Sequence, residues 1–257
     1  MQENTNNKVY WENYVSYWEN KVSDANLNEK ATDKTSTDDM MASQVGRLNL
    51  KSSDVFLDYG CGSGRYYEYY GRQCKTGRNY HGVDISRIAL DHALTIYDDL
   101  QEEQLKETDG ITIPYADNTF DKICCYGVFD ACDQEHTLEE LLRVLKKDGL
   151  LFLTGKNDNY CDDDDEAYVA EVNARKKKHP NSFTDVLGMI DQLERAGQEV
   201  TDQFFFEKRG DVQKNKFFTT RDSRKFYEWQ LIIRKTSEKS SCFDQFSSMY
   251  SKTFQRR

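Results

Sequence analysis

The sequence has only 2 prolines in 257 residues, and it has no long apolar run. A membrane-spanning helix needs roughly 20 consecutive apolar residues, so we expect no membrane-spanning segment. The first residues also lack the basic and apolar regions of a secretory signal peptide. These absences predict a cytoplasmic protein with no membrane partner.

A regular cysteine pattern is missing as well. The 7 cysteines are irregularly spaced and include no C-x-x-C pair, which argues against a structural zinc site. Cys124 and Cys125 lie in an apolar run, where cysteine behaves as a small buried hydrophobic residue. We therefore expect no bound metal, no disulfide framework and a reducing compartment.

The sequence also has too few basic residues for a typical nucleic-acid-binding protein. Its net charge is -10, from 45 acidic and 35 basic residues. Binding to a nucleic-acid backbone usually needs a basic face, because phosphate neutralisation supplies most of the affinity. A basic run at 175–178 closely follows an acidic run at 162–166, a pattern typical of a solvated, self-paired segment. The charge balance argues against a nucleic-acid partner.

Strand-like and helix-like segments alternate through residues 50–155. Strands are predicted at 54–58, 79–84, 104–108, 120–126 and 150–154, and helices at 63–73, 86–99 and 137–145. Thr137 and Glu140 form a capping box that predicts the start of the last helix, and residues 147–149 its end. This alternation predicts an α/β fold with a mostly parallel sheet and helices on both faces.

The remaining sequence suggests how the chain is organised. A helix at 184–196 is followed by strands at 199–207 and 226–234 with no helix between them, which predicts an antiparallel hairpin at the end of the sheet. We expect a main domain at 46–235, with a charged insertion at 156–183 as a candidate substrate lid. The tail at 236–257 is either a docked helix or disordered.

Residues 1–45 are polar but contain an aromatic cluster. Trp11, Tyr14 and Trp18 are spaced three and four residues apart, which places them on one face of a helix. This face either packs against the main domain or forms a flap over a ligand, so the three aromatic residues are candidates for a substrate lid.

A glycine-rich turn follows the first predicted strand, with Gly60, Gly62 and Gly64 in the pattern G-x-G-x-G. Glycines allow a sharp turn and a close approach of the backbone to a ligand. A dinucleotide site usually has G-x-G-x-x-G, and here Arg65 stands in place of its third glycine. Asp58 immediately before the turn favours a ligand with an ammonium group over a pyrophosphate.

Acidic residues also follow the next two strands. Asp84 ends the second strand, where a carboxylate can accept hydrogen bonds from both ribose hydroxyls. Asp109 and Gly110 follow the third strand, where they could bind the edge of an adenine ring. The ordered spacing of these residues on successive strand ends is more specific than any one of them.

These motifs resemble the class I, seven-stranded S-adenosylmethionine-dependent methyltransferases over residues 55–155. The first motif is VFLDYGCGSGR at 55–65, the second is GVDIS at 82–86, the third is TDGITIPY at 108–115, and the last is RVLKKDG at 143–149. The family has Pro-Gly where this chain has Lys147-Asp148. It usually has His-His after the fourth strand, where this chain has Asp130-Ala131.

The resemblance implies S-adenosylmethionine as the cofactor and S-adenosylhomocysteine as its product. It implies a seven-stranded, mostly parallel sheet and the following cofactor-binding residues: Asp58, Gly60, Cys61, Gly62 and Gly64 at the methionine end, Asp84 at the ribose, Ile85, Asp109 and Gly110 around the adenine, and Tyr126 and Gly127 near the sulfonium.

Methyl transfer from a sulfonium is an in-line displacement, in which the protein mainly aligns the nucleophile and excludes water. A dedicated base is optional, and Asp130, Tyr160 and His179 are the candidates after the fourth and fifth strands. No Asn/Asp-Pro-Pro-Tyr motif for methylating nucleic-acid bases follows the fourth strand.

We therefore expect an enzyme that methylates O or N of a small-molecule acceptor. The alternatives are a methyltransferase acting on protein or RNA, a non-catalytic S-adenosylmethionine-binding regulatory protein, and a nicotinamide-dependent enzyme, which Arg65 disfavours.

Overall fold

The computed structural model describes residues 46–71, 74, 79–177, 180–238 and 242–257. The predicted N-terminal segment at 1–45, with Trp11, Tyr14 and Trp18, lies outside the described residues, as does His179. The chain divides into two compact units, Met1–Gly110 and Ile111–Arg257.

The described residues of the first unit include three parallel strands and two α-helices. They are β1 (Phe56–Tyr59), α1 (Tyr67–Tyr70), β2 (Tyr80–Asp84), α2 (Arg87–Ile96) and β3 (Leu105–Glu107). β2 pairs in parallel with both β1 and β3. All four residues of β1 are buried, as expected for a strand covered on both faces.

The second unit contains the remaining strands and helices. They are β4 (Phe120–Cys125), α3 (Gln134–Val144), β5 (Leu145–Lys156), α4 (Asp165–Lys176), β6 (Phe183–Thr184), α5 (Val186–Arg195), β7 (Glu199–Phe206), β8 (Glu228–Arg234), β9 (Ser247–Ser248) and α6 (Lys252–Arg256). β4 is parallel to β5, whereas β8 is antiparallel to both β5 and β7.

Seven strands belong to one sheet in the order β3-β2-β1-β4-β5-β8-β7. The sheet is mostly parallel, and its antiparallel strands β8 and β7 lie at one end. The predicted fold class and the predicted terminal hairpin are therefore confirmed.

The start of α3 differs from the prediction. The helix begins at Gln134 and not at Thr137, because the Asp133 side chain accepts a hydrogen bond from the His136 amide as the N-cap. Thr137 is buried inside the helix, and the Glu140 carboxylate accepts from the Ile113 amide at 2.8 Å. The capping-box prediction was wrong because Glu140 has this distant partner.

The fifth strand is also longer than predicted. β5 begins directly after α3, so residues 147–149 lie within the strand and do not end the helix. Leu145 pairs with Phe120, and the regular pairing resumes at Leu150 with Lys122. The sequence did not predict the start of this strand because its residues there are charged. Pairing with β4, and not local hydrophobicity, places these residues in the strand.

The helix predicted after the glycine-rich turn is short in the structure. Only Tyr67–Tyr70 is α-helical, and the residues between the turn and Tyr67 form further turns. None of the helices among the described residues is both long and apolar enough to span a membrane.

The charged insertion contains α4, and its charges match the helix polarity. Asp165 and Glu166 lie in the first turn, whereas Arg175 and Lys176 lie in the last turn. Negative charges at the N-terminus and positive charges at the C-terminus stabilise a helix through its macrodipole.

The tail is docked in its described part, 242–257. β9 pairs with β6, and the Ser251 hydroxyl donates to the buried Glu171 carboxylate at 2.7 Å. The structure therefore shows the docked alternative for these residues.

Candidate functional site

The glycine-rich turn links β1 to the end of β2. The amides of Gly60 and Cys61 donate to the Val83 carbonyl at 2.8 and 3.1 Å. Gly60, Gly62 and Gly64 all have positive φ angles, 74°, 53° and 75°. Residues with a side chain rarely adopt this left-handed backbone conformation, which explains why glycine occupies all three positions.

Gly62 faces open space, and Gly64 is packed. A Cβ atom on Gly62 would have no heavy atom within 4 Å, whereas a Cβ on Gly64 would lie 2.9 Å from Tyr97 Cε2. The turn is therefore anchored at Gly64 and has room for a ligand beside Gly62.

The Asp84 carboxylate holds this turn in place. Its Oδ2 accepts from the Gly62 amide and its Oδ1 from the Ser86 amide, both at 2.9 Å. Each carboxylate oxygen can accept a second hydrogen bond, so Asp84 could still bind two ribose hydroxyls. Burial raises the pKa of Asp84, and the amides of Ser86 and Gly62 offset part of that effect.

Asp58 is a second buried carboxylate at this position, with only 3% of its surface exposed. The Tyr80 hydroxyl donates to its Oδ2 at 3.0 Å. Burial raises the pKa of Asp58 to about 7, the Tyr80 hydrogen bond opposes this rise, and the charge of Asp84 adds to it. Asp58 is therefore poorly stabilised as an anion by its protein neighbours.

Cys61 lies between the two carboxylates and is buried. Burial, followed by the charges of Asp58 and Asp84, raises the pKa of its thiol, which therefore stays protonated. A Cβ on Gly82 would lie 2.6 Å from Cys61 Sγ, so the glycine in β2 makes room for this side chain.

The predicted adenine-binding residues partly come together. Ile85 is partly buried, and a Cβ on Gly110 would contact its Cγ2 at 3.4 Å. Gly110 has a φ angle of 77°, and its amide donates to the Thr108 hydroxyl at 3.2 Å. Asp109 is exposed beside them, at the end of β3.

This arrangement fits a cationic ligand that carries a ribose. Among the described residues, no basic side chain forms an ion pair with the buried Asp58 or the partly buried Asp84. A buried carboxylate is costly without a positive partner. S-adenosylmethionine would supply an ammonium group for Asp58 and ribose hydroxyls for Asp84.

Comparison with known sequences supports this interpretation. Residues 57–153 match a family model described as a methyltransferase domain. The chain is 35% identical over 107 residues to a demethylmenaquinone methyltransferase of Lactobacillus johnsonii, which covers 40% of this chain and 44% of that protein. The chain thus matches less than half the length of this relative.

Solved structures show the same fold. An S-adenosylmethionine-dependent methyltransferase of Thermotoga maritima superposes with a TM-score of 0.54 at 17% identity, covering 77% of this chain and 87% of that one. The cyclase SpnF superposes with a TM-score of 0.53 at 17% identity, covering 77% of this chain and 81% of the other. At this identity the likeness shows the fold alone.

Residues 57–153 thus match a methyltransferase domain, and the sheet has the fold of the class I S-adenosylmethionine-dependent methyltransferases. The family's cofactor is S-adenosylmethionine, which supplies an electrophilic methyl group when bound. The described residues around the glycine-rich turn would offer the Asp58 carboxyl group to the cofactor's ammonium group and the Asp84 carboxylate to its ribose hydroxyls.

The second unit carries the other predicted cofactor residues. Tyr126 follows β4 and stacks on Phe152, with ring centroids 6.4 Å apart. Gly127 has a φ angle of 68°, and its amide donates to the Thr154 hydroxyl at 2.9 Å. Gly127 is exposed, which leaves its surface accessible to a ligand.

Asp130 and Tyr160, two of the catalytic candidates, have different surroundings. Asp130 is partly buried and forms an ion pair with Lys156. Tyr160 is fully buried, and its hydroxyl donates to Glu171 at 2.9 Å within a cluster that includes Phe183 and Tyr227. Burial raises the pKa of Tyr160, and these contacts favour a packing role.

Sequence reasoning missed Tyr80 beside the glycine-rich turn. Tyr80 lies on β2 two alternations before Asp84, so both side chains fall on the same face of the strand. This alternation was a usable signal. Lys156, Arg209 and Glu228 of the second unit were also missed, because nothing in the sequence indicates that they meet.

Proposed function

We propose that this protein transfers a methyl group from S-adenosylmethionine to O or N of a small-molecule acceptor. The buried Asp58 and the partly buried Asp84, beside a turn with three positive-φ glycines, carry this proposal. Both acids lack a basic partner in the described part of the chain, and the cofactor supplies matching groups for each.

The acceptor class is supported by two further observations. The relative from Lactobacillus johnsonii is named for demethylmenaquinone, a small molecule. The net charge of -10 disfavours a nucleic-acid acceptor, whose backbone attracts basic surfaces.

Calorimetry with S-adenosylhomocysteine tests cofactor binding. We expect this product to bind and NAD not to bind. Asp84→Ala should lower the affinity for S-adenosylhomocysteine at least roughly tenfold, because a hydrogen bond to a charged group contributes about 1.5–3 kcal/mol. Asp99→Ala is the matched control, because Asp99 is exposed and this substitution also removes one negative charge. Equal affinities for the two variants would show that Asp84 does not bind the ribose.

Label transfer tests the acceptor. The protein is incubated with methyl-labelled S-adenosylmethionine and either a metabolite extract, total RNA or total protein. Label should appear in a small molecule. Transfer to RNA or protein alone would refute the small-molecule acceptor but not the cofactor assignment.

A further inference from the structure

A group of charged and polar side chains lies at the carboxyl ends of β4 and β5 in the second unit. This polar cluster consists of Asp130, Lys156, Asn181, Arg209, Tyr227 and Glu228. Asp130 lies in the short 3-10 helix Phe129–Ala131 after β4, and Lys156 ends β5. Open α/β sheets bind ligands beyond the carboxyl ends of their strands.

The antiparallel strand β8 brings Glu228 to the same place. Glu228 is the direct register partner of Lys156, and directly paired residues project from the same face with Cβ atoms about 4.5–5.5 Å apart. Arg209, in the loop after β7, donates from Nη1 to the Tyr227 hydroxyl at 3.1 Å. Five separate segments of the unit thus converge at one point.

The cluster has hydrogen-bonding capacity that its described neighbours do not use. Lys156 Nζ donates to Asp130 and to Asn181 Oδ1, at 2.6 Å for Asn181, which leaves one of its three N–H groups. Glu228 Oε2 is buried and has no hydrogen-bond partner among the described residues. A buried polar atom without a partner is costly, so this oxygen is suited to a donor from a ligand.

Arg209 is the accessible member of the cluster. Its side chain is exposed, and Tyr227 accepts from only one of its five N–H groups. A guanidinium with free donors can bind a carboxylate or phosphate through two parallel hydrogen bonds. The cluster is therefore open to solvent on the side of Arg209.

The cluster contains two cationic side chains, Lys156 and Arg209. Burial lowers the pKa of Lys156, but the Asp130 carboxylate and its other neighbours outweigh this, so the net shift is upward and Lys156 stays charged. Burial raises the pKa of Glu228 to about 7, against the opposing charges of Arg209 and Lys156. The two cations thus face the side chains of Asp130 and Asp164 and the carboxyl group of Glu228, whose raised pKa weakens its negative charge at neutral pH.

We propose that the polar cluster binds the methyl acceptor, a small molecule with an anionic group held by Arg209 and Lys156 and a hydroxyl or amino group hydrogen-bonded to Glu228. This inference rests on the proposed methyl transfer and names the acceptor's chemical class and binding residues.

Label transfer from charge-separated metabolites tests the inference. A metabolite extract is divided at neutral pH into a fraction retained on an anion-exchange column and an unretained fraction, and each is incubated with the protein and methyl-labelled S-adenosylmethionine. The retained fraction should yield the labelled product.

Two sets of variants then locate the site. Arg209→Met should lower the transfer rate at limiting acceptor by roughly 10- to 100-fold, the loss expected for a charge-assisted hydrogen bond. More acceptor should restore the rate, because binding is what the variant loses. Arg221→Met is the matched control, since Arg221 binds Gln203 and Glu194 away from the cluster, and it should leave the rate unchanged.

Glu228 is tested by two substitutions. Glu228→Leu removes the unpaired oxygen and should reduce transfer strongly, whereas Glu228→Gln retains an acceptor oxygen and should keep part of the rate. Equal losses of transfer rate in both variants would overturn the proposed hydrogen bond between Glu228 and the acceptor. Thermal unfolding of each variant checks that it is folded.

Affinity for S-adenosylhomocysteine separates this inference from the proposed function. It should be unchanged in the Arg209 and Glu228 variants. If the parent protein binds no S-adenosylhomocysteine, the proposed function fails. If it binds but label appears only from the unretained fraction, or from neither, or if Arg209→Met behaves like Arg221→Met, the inference about the polar cluster is overturned.

Discussion

Replacing Asp58 by Asn should stabilise the protein in the absence of a cofactor. The Asp58 side chain is almost fully buried, it accepts a hydrogen bond from Tyr80, and the Asp84 carboxylate lies near enough to raise its pKa. Asn has a similar shape and keeps an acceptor oxygen for the Tyr80 hydroxyl. It removes a charge that the folded protein does not compensate.

The size of the effect follows from the pKa of Asp58. Its value in the fold is about 7, raised mainly by burial from an ordinary value of 3.8. A shift of roughly three units corresponds to about 4 kcal/mol at about 1.36 kcal/mol per unit. This is the amount by which the ionised Asp58 destabilises the fold once the pH is above both values.

The direction with pH is also determined. The folded state binds the Asp58 proton more tightly than the unfolded state, so the free energy of unfolding falls as the pH rises from about 4 to about 7. About half of the loss is already present at about pH 5.5, and the other ~2 kcal/mol develops by about pH 8.5. The Asn variant should lack this dependence.

Urea unfolding at these two pH values provides the measurement. The stability difference between Asp58→Asn and the parent should grow by about 2 kcal/mol from the lower to the higher pH. Asp99→Asn is the control, because it removes an exposed charge and should show no such growth. A constant difference at both pH values would refute the raised pKa of Asp58.

Cofactor binding should show the opposite ranking. S-adenosylhomocysteine brings an ammonium group to Asp58 and should therefore stabilise the parent more than the Asn variant. Its affinity for the parent should rise between about pH 6 and about pH 8, as Asp58 loses its proton. If the Asn variant is more stable and binds S-adenosylhomocysteine as tightly as the parent, Asp58 does not contribute to cofactor binding.

Four further substitutions test the fold and the turn. Gly62→Ala should cost only about 1 kcal/mol of stability, because of the φ angle of 53°, as measured by urea unfolding. Its Cβ would point into the open space beside the turn where the ligand is proposed to bind. The substitution should therefore weaken the binding of S-adenosylhomocysteine at least roughly tenfold, as measured by calorimetry. Gly155→Ala should lower the free energy of unfolding by about 1–3 kcal/mol, because its Cβ would lie 2.4 Å from Trp229 Cζ2; unchanged stability in urea would contradict this. Asp133→Ala should lower the free energy of unfolding by about 1 kcal/mol, because it removes the N-cap of α3, whereas Thr137→Val should lower it by less. A larger loss of thermal stability for Thr137→Val would instead support the capping box.

Local patterns were sufficient for most of the first unit. The glycines of the turn were recognisable because their left-handed conformation depends on only a few neighbouring residues. Asp84 was recognisable because strand alternation and the turn place it at the end of β2. These features are decided within a few residues of the chain, so spacing alone could identify them.

Boundaries in the second unit required the tertiary structure. The cap that α3 uses, Asp133, is local, but the loss of the predicted capping box and the start of β5 depend on partners far along the chain: Glu140 accepts from the Ile113 amide, and Leu145 pairs with Phe120. A local pattern cannot show which distant partner takes a side chain, and here these partners outweighed the local signals.

The sequence by itself determined the α/β fold, the resemblance to a methyltransferase domain and the glycines of the turn, because these follow from short motifs and hydrophobic alternation. Only the tertiary structure decided the charge states of Asp58 and Glu228 and the meeting of Lys156 with Glu228 across β5 and β8. The physical reason is that pKa values and ion pairs depend on burial and on neighbours from distant segments. Chain order does not show these until the sheet has formed.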